Sequence, residues 1–421
     1  MKMALKKHGK REMRRFNSFL TEQKNTHMEH LEDAVLNGGV EGARQAINML
    51  RSMRDMLAGN SKSTINSTVK WDGAPAIFCG TDPNDGKFFV AKKGVFNKNP
   101  KVYKTPAEIN ADKMNPDLAD KMKLALKELP ALGIKGIIQG DFLYSRSDLK
   151  NETIDGEKYV TFQPNTILYA VPAGSQLAKE IRAAKLGIVW HTVYTGKSFE
   201  TMKASFGKDI AGKLKKTKNV FSTDANFRDV SGKATFTKKE TDAITAILSQ
   251  AGKQFKTLPA NVLNDLSNND ELLKRTKTYM NTYVRAEKPF GSGSSLVTGL
   301  VDYLNAYFDK EIESKKSEKG KETWRAKKAD IMSYFGKHSK ADIAKIFDLM
   351  NTIIQAKIMV VKKMDTASSM GTFLRTTSGI KVTAPEGYVA IDHLGSALKL
   401  VDRLEFSRAN FSPDVIKGWQ R

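Results

Sequence analysis

Between residues 40 and 57 the apolar positions recur every three or four residues. Ala46, Ile47, Leu50, Met53 and Leu57 fall on one stripe and Gly59 follows as a stop, which predicts an amphipathic helix. Just upstream, Thr26-His27-Met28-Glu29 fits a capping box, Thr followed three positions later by Glu, so residues 26–60 read as a helical pair. After residue 64 the period shortens to two. Residues 68–79 and 87–96 read as strands separated by the turn cluster Asp82-Pro83-Asn84-Asp85-Gly86. A helix is predicted at 116–129, and strands at 134–144, 165–171 and 187–194. Helical stripes then take over at 243–255, 261–283, 296–312 and 343–364. Gly291-Ser292-Gly293-Ser294-Ser295 reads as a flexible connection, and residues 315–328, which mix both charge signs, as a solvated helix or loop. Strand periodicity returns at 387–392 and 396–402.

This pattern predicts an α+β fold with an antiparallel sheet, since short turns join the first strands. The expected organisation is a basic flexible arm (1–25), the helical pair (26–60), a first part of the sheet core (61–196), a basic helical insertion (197–370) and a second part of the core (371–421).

Composition narrows the function. The chain has 421 residues, 40% of them hydrophobic, enough for two or three packed domains. No stretch approaches the roughly 18 apolar residues of a membrane span, and the basic N-terminus lacks the apolar run of a secretory signal, so no membrane partner is expected. The single cysteine, Cys79, excludes an internal disulfide and a cysteine-based zinc site. His27 and His30, three apart on a predicted helix, read as a solvated face rather than metal ligands. The formal net charge is +23, with lysine and arginine densest in residues 1–15 and 203–218. Solubility alone can explain such a balance, but a polyanionic partner, nucleic acid, explains its size better.

The candidate chemistry starts at Lys70-Trp71-Asp72-Gly73, a K-x-D-G tetrapeptide at the end of a strand-like run. Covalent nucleotidyl transfer needs a lysine that attacks an α-phosphorus as a neutral amine. It needs carboxylates to hold a divalent metal, and further lysines to meet the charge developing on phosphate. Candidates follow in order: Lys92 and Lys93 after an apolar strand, Asp141 in Gly140-Asp141-Phe142-Leu143, Tyr169 in an aromatic strand, Glu386 in Glu386-Gly387-Tyr388-Val389, and Lys399 between apolar neighbours. Each has an ordinary explanation too: surface strand lysines, edge-strand charges that deter aggregation, and a core tyrosine.

In this order the segments resemble the motifs of the covalent nucleotidyltransferase superfamily, the ATP-dependent RNA and DNA ligases and capping enzymes. The resemblance covers residues 64–195 and 379–405. It implies an ATP-grasp-like ligase core. Its site residues would be a catalytic Lys70, Asp72 and Lys399; Lys70, Gly73, Lys92, Lys93, Tyr169, Glu386 and Lys399 around the nucleotide; and Asp141 and Glu386 on Mg²⁺ or Mn²⁺. ATP would be the cofactor, and sealing of a 5′-phosphate to a 3′-hydroxyl in RNA or nicked duplex the reaction. The chain departs from the family in several places. Pro75 stands where an arginine is frequent, Asp141 where glutamate is usual, and Val401 where a second lysine is common; too few residues follow for a C-terminal OB domain, which favours RNA-ligase-like enzymes.

A second resemblance is to the N-terminal packaging peptides of internal head proteins of large tailed phages, carried by the basic start and by Leu20-Thr21-Glu22, a hydrophobic-x-Glu cleavage triplet. It implies the cytoplasm of an infected bacterium, or a phage head, as location. Two other functions fit the sequence: a non-catalytic, nucleic-acid-condensing virion protein, and a nucleotidyltransferase with a non-nucleic-acid acceptor.

Overall fold

A computed structural model describes residues 28–59, 65–227, 234–367, 370–392 and 396–420. The basic arm, the candidate cleavage triplet and the first half of the capping box lie outside these residues. Helix α1 (Asp33–Leu57) is broken at Gly39, which takes φ 58°, ψ −138°, a backbone conformation that favours glycine. Its second half is the predicted 40–57 helix, and the predicted stripe is buried throughout. Met28 and Glu29 are not helical; a bridge at His30 and a turn at residues 31–32 precede α1.

The β elements come in two blocks. The first holds β1 (Asn66–Val69), β2 (Ala76–Thr81), β3 (Phe88–Ala91), α2 (Pro106–Ala111), α3 (Pro116–Glu128), β4 (Ile137–Ser145), β5 (Lys150–Ile154), β6 (Glu157–Phe162), β7 (Ile167–Pro172), α4 (Gln176–Ala183), β8 (Leu186–Thr195), β9 (Lys203–Phe206) and β10 (Val220–Asp224). Six helices follow: α5 (Lys238–Lys256), α6 (Ala260–Asn268), α7 (Asp270–Arg285), α8 (Gly293–Glu313), α9 (Glu318–Lys337) and α10 (Lys340–Asp365). The second block is β11 (Gly371–Thr376), β12 (Gly379–Val382), β13 (Tyr388–Ile391) and β14 (Ala397–Leu400), then the short helix α11 (Arg408–Phe411).

The fold is α+β with antiparallel sheets, as the periodicity predicts. One sheet runs β1-β13-β14, a second β10-β8-β4-β2-β3 with β9 on β8, and a third β12-β11-β7-β6-β5. The β8–β10 pair is parallel. Strands β9 and β10 fall inside the stretch expected to be helical, so sheet continues to Asp224 and helix resumes only at Lys238. The lysine-rich segment 203–218 therefore borders the central sheet rather than the helices. The hairpin β5–β6 has no counterpart in the sequence reading; its strands are short and mostly polar, with little alternation to reveal them.

Two further expectations change. The 261–283 stripe divides at Asn269, whose side chain caps α7 by accepting from the Leu272 amide at 3.0 Å. The 291–295 segment is anchored rather than a loose connection: Ser292 caps α8, the Gly293 amide donates to Asp348 at 2.7 Å, and Asn351 donates to the Gly291 carbonyl at 2.9 Å.

Helices α1 and α5 to α10 share one apolar core, which also takes Tyr388, Ala390, Leu398 and Leu400 from the β13–β14 hairpin. The helical pair and the helical insertion therefore fold as one bundle. Because strand side chains alternate, Lys399 stands on the opposite face of the hairpin from Leu398 and Leu400. Among the described residues no helix is long and apolar enough to cross a membrane.

Candidate functional site

Strand β1 delivers Lys70 to the start of β13. The Lys70 amide donates to the Gly387 carbonyl at 2.8 Å, and its ammonium pairs with the Glu386 carboxylate. Glycine is required at 387 for the close approach of β14: its φ is 136°, and a Cβ there would lie 2.5 Å from the Leu400 carbonyl oxygen. Gly73 makes a second close approach, since a Cβ on it would lie 2.5 Å from the Asp141 Cβ. The K-x-D-G turn is thereby held against β4.

Asp72 has a different role from a catalytic side chain. It is buried, and its oxygens accept from the Thr166 amide at 2.6 Å, the Ile167 amide at 2.7 Å and Asn165 Nδ2 at 2.7 Å. Burial pushes its carboxyl up, against the hydrogen bonds that favour the charge. Asp72 anchors the turn to the β6–β7 connection. Its own amide donates to the Tyr169 hydroxyl at 2.8 Å.

Tyr169 is core rather than an open purine platform. It is 4% exposed, with its ring 5.3 Å from Phe162 and 5.1 Å from Trp71. The apolar alternation of β7 turns this side chain inward, and burial raises its hydroxyl far above the usual range. Trp71 lies half-buried over it, with a buried indole nitrogen that lacks a hydrogen-bond partner.

Lys92 is also placed elsewhere. It pairs at 3.2 Å with Asp112, which is shared with Lys101 and with the Tyr103 hydroxyl at 2.7 Å. Those contacts, Lys101 first, hold Asp112 at about 2. The neighbouring Lys93 is exposed and stands close enough to Lys399 to act on its charge. Burial, then Lys70 and Lys93, lower the Lys399 ammonium; Glu386 opposes them.

Glu386 is strongly perturbed. Burial, with Asp72 and Asp141 beside it, raises its carboxyl to about 7 despite the Lys70 ammonium. Asp141 stands on β4 with His191 Nε2 at 3.6 Å. Among the described residues no three His, Cys, Asp or Glu side chains form a metal-holding group. The structure thus gathers Lys70, Asp141, Glu386, Lys93 and Lys399, and assigns Asp72, Tyr169 and Lys92 to supporting contacts.

Other members of this neighbourhood escaped the sequence reading. Lys417 is buried behind Asp72, donating to Thr166 Oγ1 at 3.1 Å and to the Ala409 carbonyl at 3.0 Å; burial lowers its ammonium. His30, expected on a solvated face, is half-buried beside Lys399, and desolvation pushes its imidazole down to about 3. Lys357 is 1% exposed and paired with the fully buried Glu32 at 2.8 Å. A signal for it existed: Lys357 interrupts the apolar stripe of α10 between Ile353 and Val361.

No curated protein and no solved structure matches the chain. A family model does match, across residues 25–414, and the chain therefore belongs to DUF6267, a family of unknown function.

Proposed function

We propose that this protein is a covalent nucleotidyltransferase of the ATP-dependent ligase type. The observation that carries the reading is the convergence of Lys70, Glu386, Asp141 and Lys399, which come from four separated segments and resemble, in order, the motifs of that superfamily.

Lys70 is the AMP acceptor. Glu386, with a carboxyl near 7, is matched to take the proton from its ammonium. The freed amine attacks the α-phosphorus of ATP; the nitrogen–phosphorus bond forms as the bond to the bridging oxygen breaks and pyrophosphate leaves. Lys399 and Lys93 meet the charge on the phosphate oxygens. Asp141 and Glu386 are hard oxygen donors of the kind Mg²⁺ or Mn²⁺ accepts, and such an ion would draw charge from the phosphates. AMP then passes to a 5′-phosphate, and a 3′-hydroxyl displaces it to seal the strand. The charge of +23 supports RNA or nicked duplex as the acceptor.

The test is incubation with α-³²P-ATP and Mg²⁺ followed by a denaturing gel. A labelled band in the wild type, absent in Lys70→Ala and weak in Glu386→Gln, is expected. Absence of label on folded wild-type protein with ATP, GTP or NAD sinks the reading. It would leave a non-catalytic nucleic-acid-binding protein in front. Label that leaves Lys70 for an acceptor other than nucleic acid would keep the transferase and reject the ligase.

A further inference from the structure

Lys399 is held in an unusual way. On a β-hairpin, residues directly across from each other either exchange backbone hydrogen bonds or turn those groups outward. Lys399 faces Val389 on β13, and its backbone groups turn outward. There they meet the segment that precedes α1: the Lys399 amide donates to the Glu29 carbonyl at 2.8 Å, and the Leu31 amide donates to the Lys399 carbonyl at 2.9 Å. His30 forms a parallel bridge with Lys399 between these two bonds. Residues 29–31 therefore act as one more strand on the β14 edge, centred on the candidate phosphate-contacting lysine.

This short strand is itself pinned from the bundle. Glu32, the next residue, is fully buried, and its two oxygens accept from Lys357 Nζ of α10 at 2.9 and 2.8 Å. Arg403, just past β14, reaches Glu32 at 3.7 Å and Asp33 at 3.2 Å. His30 is faced by Glu32, Arg403, Lys357 and Lys399, while Lys399 itself is faced by Lys70, Glu386, Lys93 and Asp33. An isolated charge at this depth would be prohibitive, so the Glu32–Lys357 pair admits one registry of α1 against α10. That registry sets the height of residues 29–31, and these set Lys399.

We infer that Glu32 and Lys357 are positioning residues for Lys399: their buried ion pair, through the Glu29–Leu31 strand, transmits the packing of the helical bundle to the nucleotide-facing lysine. The part of this inference that concerns catalysis rests on the proposed nucleotidyl transfer; the part that concerns the strand does not.

Two measurements on the full chain test it separately. The first is amide hydrogen exchange. In the wild type, the amides of Leu31 and Lys399 are expected to share the protection class of the α10 amides. In E32Q/K357M, which removes both charges and leaves neither stranded, they are expected to exchange about 100-fold faster while the β13–β14 pairing stays protected. Lys399 exchanging with the fast strand-edge class in the wild type overturns the clamp, and so does unchanged exchange in a folded variant. The wild-type arm alone decides the matter if the variant does not fold.

The second measurement is the rate of self-adenylation in a cycle of E32Q/K357M, Lys399→Ala and their combination. A loss of about 100-fold from E32Q/K357M is expected, the size that a misplacement near 1 Å produces, with little change in ATP affinity. No further loss is expected once Lys399 is alanine, because the pair acts only through that side chain. Full additivity, or wild-type rates in E32Q/K357M, overturns the positioning role. A wild type that takes no label at all rejects the proposed function instead, and leaves the clamp to be judged on exchange.

Discussion

Glu32 and Glu386 are both buried carboxylates paired with a lysine, and they behave in opposite ways. At the seam between bundle and hairpin, Glu32 is held at about 2: Lys357, His30 and Arg403 outweigh a large desolvation cost. At the candidate site, burial raises Glu386 to about 7; Lys70 opposes this, and Asp72 and Asp141 add negative charge that works against Lys70. The chemical groups are the same, although Lys70 is partly exposed where Lys357 is sealed. The difference is the company. A carboxylate among cations stays charged and fixes geometry; a carboxylate among carboxylates is poised to take a proton. The first is suited to architecture and the second to chemistry.

The largest way to break this comparison is Lys357→Met alone, which leaves Glu32 charged and unpaired. A loss of about 3–5 kcal/mol in denaturant-determined stability is expected. A loss below about 1 kcal/mol would mean that the seam tolerates the charge and that the contrast with Glu386 is wrong.

A second prediction uses pH. The native Glu386 carboxyl sits at about 7 against an ordinary 4.5, so the folded protein keeps this proton longer than the unfolded chain. The stability it contributes is complete below about 4.5 and is lost as pH rises through about 7. Glu32 runs the other way: its contribution is present above about 4.5 and is lost as pH falls toward about 2. Glu386→Gln should remove a decline on the order of 3 kcal/mol between pH 4.5 and 8. Denaturation curves across that range would show it as a flattened profile, and an unchanged slope would count against the raised carboxyl.

The smallest effect sharpens the assignment of Tyr169. Tyr169→Phe removes the acceptor of the Asp72 amide but keeps the ring, and about 1 kcal/mol of stability should go with it. Adenylation should fall only modestly. A complete loss of adenylation in a stable Tyr169→Phe protein would return that hydroxyl to the chemistry.

Much of the fold was legible because it rests on local periodicity. The 40–57 stripe, the 116–129 helix and the long helix through 343–364 bury the faces their spacing predicts. Part of the cluster was legible for another reason: Asp141 and Lys399 are polar residues set in apolar strands, and Lys70 and Glu386 lie in short motifs that border strands. What sequence could not separate was orientation. Lys92 and Lys93 are adjacent, and only the presence of Asp112 decides which is diverted. Tyr169 looks the same in sequence whether its ring is a floor or an open platform. His30 was misread because its neighbour in space, Lys399, is more than 300 positions away in sequence. Long-range pairing of that kind leaves no periodic trace.

The pairing of β1 with β13 has a consequence for how the chain is made. Ser67 hydrogen-bonds Val389 across a separation of 322 residues. At a synthesis rate of about 5–20 residues per second, the strand carrying Lys70 waits some tens of seconds for its partner to emerge. During that interval Lys70 has neither Glu386 nor Lys399 beside it, and the edge of β1 is open to other strands. The cluster around Lys70 therefore assembles only after residues 386–399 have been made, however early the K-x-D-G sequence appears.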